Sequence, residues 1–348
     1  MMNAAVLHKP GHLSLESVPR PTIDADELLI AVEANTICGT DLRLMDGTKT
    51  AGVRPGVILG HEFAGRIVEV GATVQGWSVG EQVSISPAVV CGQCPPCQRG
   101  QENMCDSLRL FGYEFDGGLA EYVRIPADAM THGCVVAPPQ EVPAPLLALA
   151  EPLSCCLNGL RRTPVESGMT VLVIGTGPIG LMHCALAAHA GARVIACGRP
   201  GRLAPARAMG AAVTTELSGE ALRDFVLEET GGQGVDLVIL AVGASESIAV
   251  SIECVRSGGA INFFAGFPKG ILSSIDPNLI HYREISLVGS ANARFEDHRQ
   301  AVQMIAEGQI DLSPLLTHTF PLNQLDEAVG AVRERLGLKV ALVPTAHD

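Results

Sequence analysis

Two sets of side chains in this 348-residue chain have the types and spacing of metal ligands. The first is the run C-G-Q-C-P-P-C followed by a further cysteine, which gathers Cys91, Cys94, Cys97 and Cys105 in one short stretch. Four thiolates saturate a tetrahedral zinc and leave no open position, so this set is expected to be structural. An iron–sulfur cluster is the alternative on ligand type alone. The second set is dispersed. Cys38 stands in T-I-C-G-T-D, and His61, with Glu62 beside it, in L-G-H-E-F-A-G. Either residue alone reads as a small buried thiol or a satisfied core histidine. Each, however, lies in a glycine-bordered turn after a strand-like run, and together a thiolate, an imidazole and a carboxylate suit zinc. Another carboxylate, Glu151, interrupts the apolar run L-A-L-A-E-P-L-S-C-C. Burial there is costly unless the group is paired or metal-bound, so Glu151 is a second candidate for the open site; otherwise it is an exposed helix-cap glutamate.

A third stretch, V-L-V-I-G-T-G-P-I-G, fits a phosphate. Four apolar residues predict a strand buried on both faces, and the run from Ile179 to Ala190 predicts a helix. Between them Gly175, Gly177 and Gly180, with Pro178 and Ile179, spell G-x-G-x-x-G. The first glycine permits the turn, the second admits a pyrophosphate against the backbone, and the third lets helix and strand pack closely. The helix N-terminus then supplies free N–H groups and a positive dipole end. The next strand, Arg193 to Cys197, ends in Gly198, Arg199 and, shortly after, Arg202. An acid at that point would accept bonds from the ribose of NAD. Two guanidiniums instead suit a 2′-phosphate, so NADP is preferred over NAD, the alternative being arginines that simply face solvent. Val242, Ala265 and Gly266 follow later strand ends, where small residues admit the nicotinamide and its ribose.

These groups need elements to position them. Asn3–Leu7, Leu13–Val18 and Leu28–Ala34 read as short strands of a partly barrel-like β domain, which Gly117–Pro126 rejoins. A proline-rich linker covers Ala137–Pro145. Beyond Cys155 strands and helices alternate: helix Gly219–Thr230, strand Val235–Val242, helix Ser245–Arg256 and strand Ala260–Phe264. That alternation predicts a parallel sheet covered on both faces. The tail reads as strand Ile285–Gly289, helix Gln300–Glu307, strand Leu316–Phe320, helix Leu325–Arg335 and strand Lys339–Val343. A formal charge of −13 argues against a nucleic-acid partner. The glycines, proline and histidines within Val171–Ala190 argue against a membrane span, and the opening M-M-N-A-A-V-L-H against an export signal. Eleven cysteines, four of them clustered, point to metal in a reduced, cytoplasmic protein rather than to a disulfide framework.

In their order, Cys38-Gly39-Thr40-Asp41, Gly60-His61-Glu62, the four-cysteine loop, Glu151-Pro152-Leu153-Ser154 and the glycine turn resemble the zinc-dependent medium-chain dehydrogenases. The likeness is closest to the polyol (sorbitol/L-iditol dehydrogenase-like) branch. I-D-P-N-L-I-H-Y-R-E-I and L-L-T-H-T-F-P-L-N-Q-L-D-E-A also look like that branch. The resemblance implies an α/β protein: a GroES-like β-barrel catalytic domain over 1–154 and 291–348, carrying both zinc sites, and a Rossmann doubly wound parallel-sheet domain over 155–290. It implies Cys38 and His61 on a catalytic zinc, completed by Glu62 or Glu151, and a relay of the substrate proton through Thr40. It further implies reversible oxidation of a secondary alcohol of a polyol, cyclitol or sugar derivative to a ketone with hydride transfer to NAD(P), in a homodimer or homotetramer. An amino-alcohol (threonine-type) dehydrogenase and a non-catalytic NADP-binding protein of the same fold are the alternatives. Sorbitol dehydrogenases carry an Arg-Tyr pair where this chain has Asn292 and Ala293, which points away from sorbitol itself.

Overall fold

In the computed structural model, which describes residues 1–344, the chain divides into two units: Met1–Ser154 with the chain from Ala293 onward, and Cys155–Asn292. The first unit contains Met2–Lys9 (β1), His12–Val18 (β2), Leu28–Thr36 (β3), Val57–Ile58 (β4), Phe63–Val70 (β5), Gln82–Ile85 (β6), Ala88–Val89 (β7), Arg109–Leu110 (β8), Tyr122–Ile125 (β9) and Val135–Val136 (β10). The second contains Thr170–Ile174 (β11), Arg193–Cys197 (β12), Val213–Thr215 (β13), Val235–Leu240 (β14), Val255–Phe263 (β15) and Ser286–Gly289 (β16). Leu316–Pro321 (β17) and Lys339–Val343 (β18) return to the first unit.

The main sheet of the first unit runs β10-β6-β5-β3-β18-β17, with β9 also paired to β3. Strand β3 is its spine: Leu28, Leu29 and Ile30 are fully buried, and Phe63 and Phe111 pack edge-to-face in the same core. Strand register brings distant residues together. Asn35 on β3 lies opposite Phe63 on β5 and opposite Leu342 on β18, both antiparallel. The end of β3, the start of β5 and the start of β18 therefore meet at one end of the sheet. In the second unit the parallel order is β13-β12-β11-β14-β15-β16, with helices such as Pro178–His189 and Gly219–Glu229 in the crossovers. Strand order reverses between β11 and β14, the topological switch point where such sheets bind ligands.

Four segments differ from the sequence reading. The strand expected from Ala260 begins at Val255, so the helix read as Ser245–Arg256 stops at Cys254. Within Gly117–Pro126 only Tyr122–Ile125 joins the sheet, because Gly117 and Gly118 run against Gly60 and Phe63; a Cβ on Gly117 would sit 1.9 Å from the Gly60 carbonyl oxygen. The helix expected from Gln300 begins at Phe295, where the Arg294 N–H donates to Asp297 at 3.0 Å and caps the first turn. The linker over 137–145 ends inside a short helix, Ala144–Leu147. Among the described residues no helix is long and apolar enough to cross a membrane.

Each unit buries one neutral histidine. His183 and His298 are both fully buried, and burial lowers each pKa to about 3. His183 lies edge-on to Phe264 with neither ring nitrogen partnered among the described residues. In the unfolded chain both rings regain a pKa near 6.5. Their neutrality is thus harmless above that value and increasingly destabilising as pH falls from about 6.5 toward 3, by about 1.4 kcal/mol per pH unit for each ring. His183→Leu should flatten the fall in urea-unfolding stability between pH 6.5 and 4.5 relative to the parent chain; equal slopes would show that the ring is not held neutral.

Candidate active site

Strand β3 runs through Ile37 into Cys38, which is the N-cap of helix Gly39–Met45. Three residues on, Asp41 is fully buried and accepts the Cys38 N–H through Oδ2 at 2.8 Å. Its other oxygen, Oδ1, lies 3.1 Å from Nδ1 of His61. A carboxylate there accepts a hydrogen bond from Nδ1–H and leaves Nε2 as a lone-pair donor, the tautomer a metal requires. His61 and Glu62 stand just before β5, reached through Gly60 at φ +97°; a Cβ on Gly60 would lie 2.5 Å from Asn35 Oδ1. Ligand atoms of Cys38, His61 and Glu62 all fall within 4.8 Å of one another.

This cluster is built to hold positive charge. Burial disfavours protonated His61, yet the Asp41 charge and the bonds from Asp41 and Cys38 outweigh it and raise the ring's proton affinity well above normal. Glu62 is 1% exposed, and its Oε2 is held by the Lys339 ammonium and the Thr36 hydroxyl. Its Oε1 is buried without a partner among the described residues. An orphaned carboxylate oxygen beside a thiol and an imidazole suits a divalent cation. Lys339 is itself 4% exposed; burial opposes its charge, but Glu62 and then Cys38 keep its pKa raised.

Glu151 falls outside that cluster. It occupies the first turn of helix Ala150–Arg162, half-buried, and its charge still acts on Lys339 and Tyr113. Thr40 is half-buried in the first turn after Cys38, its Oγ1 accepting from Arg43 Nη2 at 2.8 Å. Tyr113, which the sequence did not single out, packs edge-on against His61 with ring centroids 6.0 Å apart.

The four-cysteine loop is equally specific. Sγ of Cys105 lies 3.6 Å from that of Cys91 and 3.8 Å from that of Cys94. A tetrahedron with Zn–S near 2.3 Å has an edge of about 3.8 Å. A polynuclear iron cluster would hold its thiolates farther apart, so the geometry favours a single ion. Backbone N–H groups of Gln93 and Cys94 lower the Cys91 pKa to about 6, while burial pushes Cys97 up to about 12.

In the second unit, Gly175 follows β11 at φ +106°, Gly177 caps helix Pro178–His189, and Pro178 takes its first position. A Cβ on Gly180 would stand 1.7 Å from the Gly175 carbonyl oxygen, so this turn admits no side chain there. Gly198 packs equally close to Thr176, where a Cβ would meet Oγ1 at 1.8 Å. Arg199 is exposed at the end of β12, and Arg202 closes a 3-10 turn, Pro200–Arg202. Val242 and Ala265 follow β14 and β15, with the Ala265 N–H on the Leu240 carbonyl, and Gly266 comes next.

Of the supporting residues, Asp41 carried a sequence signal: an acid three positions after a cap, ahead of an apolar run. Lys339 carried none, being a lone lysine at the start of a late strand.

Residues 24–137 match the family described as alcohol dehydrogenase GroES-like domain, and residues 178–307 the one described as zinc-binding dehydrogenase. The chain is 33% identical over 347 residues to L-threonine 3-dehydrogenase of Bacillus subtilis, covering 98% of both chains. It is 33% identical over 331 residues to L-galactonate-5-dehydrogenase of Escherichia coli, covering 94% of both. A zinc-binding dehydrogenase of Sinorhizobium meliloti solved with NADP superposes with a TM-score of 0.90 at 33% identity, covering 99% of both.

The buried pair can be tested by itself. Lys339→Met leaves the Glu62 carboxylate uncompensated and should cost about 3–5 kcal/mol of unfolding free energy in guanidinium titrations. A loss below about 1 kcal/mol would mean that Glu62 is relieved in another way.

Proposed function

The chain belongs to the zinc-dependent medium-chain dehydrogenases, and we propose that within this family it oxidises a secondary alcohol of a polyol, cyclitol or sugar derivative reversibly to the ketone. It is an oxidoreductase acting on a CH–OH group, with a small-molecule substrate. The observation that carries the proposal is the cluster of Cys38, His61 and Glu62, with Asp41 fixing the imidazole and an unpartnered carboxylate oxygen completing the donor set. Cys38 and His61 would hold the catalytic zinc, with Glu62 or Glu151 as the further ligand; Cys91, Cys94, Cys97 and Cys105 would hold a structural zinc. Bound zinc supplies Lewis acidity and bound nicotinamide a hydride acceptor.

The chain's own groups do the rest. Asp41 keeps Nδ1 of His61 protonated and the ring oriented. Thr40 is the proposed acceptor of the substrate's hydroxyl proton. Because Arg43 donates to its Oγ1, the hydroxyl keeps one lone pair and its own hydrogen for passing that proton on. Gly175, Gly177 and Gly180 bring backbone N–H groups to a pyrophosphate. Arg199, exposed and without a carboxylate partner among the described residues, supports NADP over NAD, as does the NADP in the Sinorhizobium relative. The eleven cysteines are free of disulfides, which suits a reducing cytoplasm, and a homodimer or homotetramer completes the proposal. The threonine-type alternative is favoured by relatives that are L-threonine 3-dehydrogenases.

Turnover is measured against polyols, cyclitols, sugar acids, sugar phosphates and L-threonine, with NAD and NADP in parallel, before and after chelation. Chelator-sensitive oxidation of a sugar-derived alcohol is expected, and turnover of L-threonine alone would establish the alternative. Cys38→Ser should abolish turnover while NADP still binds; retained turnover would sink the zinc mechanism. Arg199→Ala should raise KM for NADP at least tenfold, the order expected from losing one charge-assisted hydrogen bond, with little effect on NAD. Equal effects on both cofactors would remove the 2′-phosphate assignment.

A further inference from the structure

Although acids outnumber bases in this chain, two cations beside the Cys38 site lack a carboxylate partner among the described residues: Arg43 and Lys49. Their neighbours Arg54 and Arg333 do pair, with Asp116 and Asp46. Local backbone geometry brings the two together. Helix Gly39–Met45 ends at Gly47, φ +73°, and the Lys49 N–H donates to the Arg43 carbonyl at 3.0 Å, so the chain doubles back over the last helical turn. Lys49 Nζ then donates to the Tyr113 hydroxyl at 2.9 Å and stands 4.7 Å from the centre of that ring, whose other neighbour is His61. With Leu7, Leu44 and Val53 it lines a small cavity of about 140 Å³.

This placement is unfavourable without a further partner. Lys49 is half-buried; burial and then the Arg43 charge work against its protonated form and outweigh the opposing pull of Cys38 and Asp41. The phenol that accepts from it is neutral and uses one of three ammonium donors, and Arg43 likewise points a donor at the neutral Thr40 hydroxyl. Arg43 is exposed to water, and a neutral polyol would give Lys49 no charged hydrogen-bond partner, whereas an oxyanion would offer both cations charge-assisted hydrogen bonds. We propose that Lys49, with Arg43 beside it, binds an oxyanion substituent of the substrate, so that the alcohol oxidised at this site is a sugar acid or a sugar-alcohol phosphate and not a neutral polyol. The proposal rests on the dehydrogenase reading of the Cys38 site and gives it a substrate class.

The test uses the zinc-loaded full chain with NADP, hexonates, the matching hexitols and hexitol phosphates, read by steady-state kinetics and by calorimetric binding. One anionic class should exceed its neutral counterpart at least tenfold in kcat/KM, and which class does so separates carboxylate from phosphate. Lys49→Met should raise KM for that anion tenfold or more with a much smaller change in kcat, collapsing the anion-to-hexitol ratio, and Lys49→Arg should restore it. A preference for hexitols, an unchanged ratio in Lys49→Met, or weaker NADP binding in place of weaker acid binding would overturn the proposal. Lys49-dependent binding of an anion without turnover of any alcohol would sink the dehydrogenase reading and the substrate class with it, keeping only the anion site at Lys49. Turnover of hexitols with an unchanged ratio would do the reverse, and an absence of both binding and turnover would remove both.

Discussion

A lysine and a glutamate share the protein interior next to Cys38 and His61, and the candidate site depends on how that pair is held. Removing two charges from water costs several kcal/mol per ion, which only close contact and satisfied hydrogen bonds offset. Here Lys339 and Thr36 occupy one oxygen of Glu62, the other is buried without a partner among the described residues, and the residue clusters with Cys38 and His61. The lysine thus orients the carboxylate. Asp41 orients His61 through Nδ1. Asp41 and Glu62 thus bring two buried carboxylates next to Cys38 and His61, a donor set that suits a cation.

Sheet register supplies the geometry. Because β5 and β18 both run antiparallel to β3, residues distant in sequence arrive at the same end of the sheet. The Ile37 N–H on the Val340 carbonyl and the Thr36 N–H on the Glu62 carbonyl tie Cys38, Glu62 and Lys339 to one frame. The four-cysteine loop works differently. Its thiols lie within a short stretch of chain and draw support from local backbone N–H groups, so the loop needs little from the sheet. If both sets hold zinc, four thiolates would close one centre, while the other would take its ligands from the ends of separate strands.

Charge placement also divides the molecule by task. The acidic total does not stop arginine and lysine from gathering locally: Arg199 and Arg202 at the end of β12, Arg43 and Lys49 beside the Cys38 turn. Elsewhere, surface cations such as Arg66 are matched with glutamates.

The local chemistry was legible in the sequence. The glycine turn between a buried strand and a helix, the four clustered cysteines and the Cys38 and His61 turns all depend on neighbours a few residues away, and so does the alternation that predicts a parallel sheet. Asp41 was half legible, through its spacing from the Cys38 cap. What the tertiary structure decided is which charges meet. Lys339 beneath Glu62, Lys49 on Tyr113 and the exclusion of Glu151 from the tight Cys38 cluster follow from strand register and chain reversal. No periodicity encodes those pairings, because burial energy acts on the whole packed unit while turn and helix preferences act over a few residues.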